Sequence, residues 1–209
     1  CDQRAAIRGL LIKRTISVVL AVLLLAPSVR AELRLVTQIE DEVTAGNKIF
    51  VDARAESMCM DLALTASVCL PVERLIGSRG RLANMRDIRW FLGTLGITGN
   101  ETAIVVADDS RRRDIVAAVL YLAGQREVIR AVTSVSGLLR QGQLQRGRTR
   151  GAALFRVAVF EQPVRDRFLV PTTFHSLHPE VATFLARFSE KISTGTLDPF
   201  RWPIEVVRP

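Results

Sequence analysis

Short apolar runs alternate with helical stretches from Glu32 onward, and this alternation predicts the elements of the chain. Lys48-Ile-Phe-Val-Asp52 reads as a short buried strand that ends on a polar residue, the usual place for a site residue in an open α/β sheet. Residues 56–66 read as a loop or short helix, and Ser67-Val-Cys-Leu-Pro71 as a second short strand closed by proline. Over residues 86–95, Ile88, Phe91, Leu92 and Leu95 fall on one face of a helix, which Gly96 stops. Thr102-Ala-Ile-Val-Val-Ala107 has the β-branched, uncharged character of a central parallel strand. A polar loop, Asp108 to Asp114, leads to a buried helix over residues 115–123 that ends at Gly124. Residues 127–132 supply another strand, and a short helix is expected around residues 137–140. This order predicts an α/β fold, an open parallel sheet with helices on both faces.

The pattern changes after Gln141. Gly142, Arg146, Gly147, Arg148, Arg150 and Gly151 mark a basic linker, because glycine and like charges both oppose packing. Beyond it lie a strand candidate at residues 154–160, a helix over residues 179–192 and a proline-rich tail with Trp202. The expected organisation is a core over residues 32–141 and an extension, 142–209, packed on that core.

At the amino end, Arg4, Arg8, Lys13 and Arg14 precede the eleven-residue run from Ile16 to Ala26, and Pro27 and Val29-Arg30-Ala31 follow. A basic region, an apolar stretch of this length and small residues before a cleavage point are the three parts of a secretory signal. The run falls short of the roughly 20 apolar residues that span a bilayer. The expectation is a signal over residues 1–31 and a periplasmic or secreted protein, held at a membrane only if that segment stays uncleaved.

Composition agrees with one packed domain: 209 residues, 48% hydrophobic and 24% charged. The net charge of +8 is partly due to the signal segment; without residues 1–31, which hold five basic residues and one acid, it is +4. That excess does not call for nucleic acid, and the arginines of the linker have no interleaved aromatics for base stacking. Three cysteines are too few for a disulfide scaffold, and His175, His178 and Glu180 are too few for a metal shell. No metal or cofactor is expected.

The ordered set Ile49-Phe-Val-Asp-Ala-Arg54, Ser67-Val-Cys-Leu-Pro71, Leu95-Gly-Ile97, Ile104-Val-Val106 and Tyr121-Leu-Ala-Gly124 resembles a rhodanese-like domain of the sulfurtransferase superfamily, over residues 32–141. Ser136-Gly137 stands where that family has a Gly-Gly pair. Two departures bear on activity. Leu62-Ala-Leu-Thr-Ala-Ser67 stands where the family reads Gly-His-Ile-Pro-Gly-Ala, and the position of the family's catalytic cysteine falls on Asp108. A persulfide carrier needs a thiolate held by loop amides and a helix N-terminus. A carboxylate cannot accept sulfane sulfur and repels thiosulfate.

The resemblance therefore implies a core without its nucleophile, acting as a binding or scaffolding module for a protein partner or a small anion. Ser110, Arg111, Arg112 and Arg113 are the candidate binding residues, and Asp52 and Arg54 a structural ion pair. Cys59 and Cys69 read equally as a disulfide or as two buried apolar thiols. The alternative functions are a sulfurtransferase that uses Cys59 or Cys69, or a dithiol/disulfide sensor of sulfur redox state.

Overall fold

The computed structural model describes residues 32–37, 39, 47–77, 79–140, 142, 146–147, 177–195 and 204–205. All of them belong to one compact unit, Ala31–Pro209. The expected signal segment, the strand candidate at 154–160, Arg148, Arg150, His175 and Trp202 lie outside the described residues. Among the described residues, no helix is long and apolar enough to cross a membrane.

Five strands form the main sheet: β1 (Glu32–Val36), β2 (Lys48–Asp52), β4 (Val68–Cys69), β6 (Thr102–Val106) and β7 (Glu127–Ala131), in the order β1-β7-β6-β2-β4. Every pairing in it is parallel. Successive side chains of a strand point to opposite faces, and the core divides accordingly. Ile49, Val51, Ala103, Val105 and Val128 join the larger apolar cluster, and Ile104, Val106, Ile129 and Ala131 the smaller. Helices α2 (Val72–Leu75), α3 (Met85–Thr94), α4 (Ser110–Ala123) and α6 (Pro179–Ser193) contribute to the larger cluster, and α5 (Val135–Arg140) to the smaller. Both faces are thus covered, as the run pattern predicts. A further helix, α1 (Glu56–Asp61), follows β2.

Two short antiparallel pairs complete the described elements: β3 (Ala63–Leu64) with β8 (Arg146–Gly147), and β5 (Arg81–Leu82) with β9 (Ile204–Glu205). The first corrects the expected linker in part. Ala63 and Leu64 are buried, and their backbone groups need partners that the strand of residues 146–147 supplies.

Local chemistry sets the helix ends. Asn84 caps α3 by accepting the Asp87 N–H at 3.0 Å, a bond worth about 1 kcal/mol. Helix α4 begins at Ser110, five residues earlier than expected, because Asp109 caps it by accepting the Arg111 N–H at 3.0 Å. The polar residues 110–114 open this helix and are not a loop. It is buried continuously from Val116 to Ala123 and closes on Gly124 at φ 107°, a left-handed position that glycine takes without strain.

Candidate functional site

The carboxyl ends of β2, β4 and β6 lie side by side, with Asp52 in register with both Cys69 and Val106. Chain segments leaving these three ends form the candidate site. Ala53 donates to the Val106 carbonyl at 2.9 Å and Leu70 to the Asp52 carbonyl at 2.9 Å, so the Asp52-Ala53-Arg54 corner is fixed beside the start of the loop Ala107-Asp108-Asp109.

Asp52 and Arg54 form a buried pair, 0% and 4% exposed. Arg54 Nε and Nη2 donate to the Asp52 carboxylate at 3.0 and 2.7 Å, and the Arg54 backbone N–H donates to Asp52 Oδ1 at 3.1 Å. Arg54 Nη2 also reaches the Leu62 carbonyl. The pair ties the corner after β2 to the segment that follows α1. The three hydrogen bonds to the Asp52 carboxylate give the pair an architectural role.

Cys59 on α1 and Cys69 on β4 are joined in a disulfide, with Cα atoms 5.8 Å apart. Cys59 is 0% and Cys69 9% exposed. The bridge closes a ten-residue separation and pins α1 to the β4 edge of the sheet.

The loop after β6 carries two exposed carboxylates, Asp108 and Asp109, and no thiol. A helix N-terminus presents unpaired N–H groups and a positive dipole end that suit an anion. At α4 the Asp109 side chain takes one of those N–H groups.

The three arginines that follow do not converge. Residues one apart on a helix are turned by about 100°, and each guanidinium meets a different neighbour. Arg111 Nε donates to Glu180 on α6 at 2.6 Å. Arg112 grips Glu73 on α2 with two bonds of 2.5 and 3.1 Å. That hydrogen bond lowers the Glu73 pKa from its ordinary 4.5 and raises that of Arg112. Arg113 is buried: its Nε meets Asp114 at 3.0 Å and its Nη1 donates to the Ala131 carbonyl at the end of β7 at 3.0 Å. The expected cluster Ser110 to Arg113 is thus a diverging fan of intramolecular ion pairs, with Ser110 exposed at its start.

Behind the fan lies a buried charge cluster that local sequence reasoning missed. Asp114, 1% exposed, meets Arg113, Arg130 Nη1 at 3.4 Å and the His178 backbone N–H at 2.8 Å. Arg130 is fully buried, and the loss of solvent lowers its pKa, an effect that Asp114 partly offsets. The signal was present: Arg130 shares the inward face of its strand with Val128, a position where a charge needs a partner. Glu73 and Glu180 gave no such signal, since they lie 39 and 69 residues from the arginines they meet.

The chain has a rhodanese-like fold. It is similar to SseA from Escherichia coli, whose structure is described as the "rhodanese" fold of 3-mercaptopyruvate sulfotransferases, with a TM-score of 0.50 and 15% identity over 79% of this chain and 70% of SseA. It is also similar to YnjE, with a TM-score of 0.51 and 14% identity over 62% of this chain. The match spans only 34% of YnjE. Identity this low establishes the shared fold alone. No protein-family model matches the sequence, and no curated protein matches it significantly.

Proposed function

We infer that this is an exported rhodanese-fold protein that does not transfer sulfur and serves as a binding or scaffolding module for a protein partner or a small anion. The surface it uses is the start of α4 together with the neighbouring helix α6. The observation that carries this reading is the loop Ala107-Asp108-Asp109: it offers carboxylates, one of them spent on capping α4, at the point where the resemblance puts a nucleophilic cysteine. Carboxylate oxygen does not carry sulfane sulfur, and its charge opposes thiosulfate.

The two cysteines of this unit, Cys59 and Cys69, support the same reading. Thiol–disulfide exchange requires a thiolate to reach a sulfur atom in line, and the Cys59–Cys69 bridge is buried. Burial argues against both a carrier thiol and a rapidly responding sensor at these positions. The bridge also fits an oxidising compartment, in line with the basic and apolar pattern of residues 4–31.

Turnover of thiosulfate and cyanide to thiocyanate by the purified chain tests this reading. The expected rate equals the protein-free background. A rate above background that disappears in Cys59→Ser or Cys69→Ser establishes a sulfurtransferase and overturns it.

A further inference from the structure

Helix α1 is exposed along its length except at Cys59, its one buried residue. Residues one apart on a helix are turned by about 100°, so a bridge that fixes Cys59 inward turns both of its neighbours outward. Those neighbours are Met58 and Met60, 47% and 64% exposed. The third methionine of the chain, Met85, is 0% exposed and belongs to the larger core cluster.

The cysteines beside them are already oxidised. Cys59 and Cys69 are joined and buried, so they offer no thiolate to a hydroperoxide. Among the described residues, Met58 and Met60 therefore hold the sulfur that an oxidant in solution meets. The helix that carries them is tied down at three points. Cys59 N–H donates to the Ala55 carbonyl at 3.1 Å, the disulfide anchors the middle, and Arg54 Nη2 bonds the Leu62 carbonyl just past the end. None of these ties uses the side chain of Met58 or Met60.

We propose that Met58 and Met60 form a reversible modification site that takes oxygen from hydroperoxides. A thioether lone pair attacks one oxygen of hydrogen peroxide; an S–O bond forms and the O–O bond breaks. The departing hydroxide takes up the proton left on the transferred oxygen and leaves as water. Sulfur loses two electrons and the peroxide gains them. Each event turns an apolar side chain into a polar sulfoxide, which methionine sulfoxide reductases reverse, on a helix that stays in place. This site does not depend on whether the α4 start holds a partner.

Treatment of the full chain with hydrogen peroxide, followed by intact mass and peptide mapping, tests the proposal. Two oxygen atoms are expected at methionine, one on Met58 and one on Met60, at rates within about threefold of N-acetylmethionine amide. Met85 reacts at least about tenfold more slowly until urea is added. Reductases for both sulfoxide epimers return the native mass, and the oxidised chain keeps the urea midpoint of the untreated one. In Met58→Leu/Met60→Leu no rapid uptake of oxygen at methionine remains. Oxidation of Met85 as fast as the other two, or failure of either Met58 or Met60 to react, refutes the paired site. A mass that the reductases do not restore refutes reversibility, and a lowered urea midpoint refutes a helix that stays in place.

Discussion

Asp114, the fifth residue of α4, holds together three parts of the chain: the helix after the loop, the end of β7 and the start of α6. It is the acid between two buried guanidinium groups, and removing one partner of a buried charge set leaves the others uncompensated. Asp114→Ala is therefore expected to cost about 3–5 kcal/mol, read as a lower urea midpoint. A loss below 1 kcal/mol contradicts this role. Glu73 is a milder case. Its carboxyl is held below the ordinary 4.5 by Arg112, so the contribution of the pair to the folded state is complete above that pH. It fades as pH falls through the lower folded value. A titration of the Glu73 carboxyl followed by NMR should show a midpoint below 4.5 in the native chain and a return towards 4.5 in Arg112→Gln. The position of Arg130 in an otherwise apolar strand advertised the buried cluster, whereas the partners of Arg111 and Arg112 depend on tertiary packing that no local pattern records.

Helix α6 docks on α4 through Val181, Phe184, Leu185 and Phe188, and its first turn is tied down by Asp114 and Arg111. Phe188 is 2% exposed, and its truncation to alanine should cost about 3–5 kcal/mol in chemical denaturation. A cost near zero would mean that the helix is not part of the folded core. The Cys59–Cys69 bridge acts on α1 and β4. Its short loop removes a moderate amount of chain entropy from the unfolded state, so Cys59→Ser/Cys69→Ser should lose about 2–3 kcal/mol. Because the bridge is buried, dithiothreitol under native conditions should reduce it far more slowly than in urea; equal rates contradict the burial. The long strands and helices were legible because each carries its own apolar period, which is how the run at residues 102–107 marks the central strand. The start of α4 was not, because the five polar residues that open it resemble a loop until Asp109 is recognised as a cap. Strands of two residues, β3, β5, β8 and β9, are too short to carry a period at all.

The main sheet brings the ends of β2, β4 and β6 to one edge, the arrangement in which open α/β folds place their sites. Here that edge holds a buried Asp52–Arg54 pair, a buried disulfide and a loop with two carboxylates. The architecture shared with SseA and YnjE thus carries, at these strand ends, two exposed carboxylates and a buried disulfide. The order of apolar runs made the fold readable from the sequence. The state of the site was readable only in outline, because the fates of Cys59, Cys69 and the arginines depend on residues brought from elsewhere in the chain. The most direct test is the intact mass of the purified chain after incubation with excess thiosulfate and removal of the small molecules. An unchanged mass is predicted, and an increment of one sulfur atom that Cys59→Ser or Cys69→Ser eliminates would contradict the account.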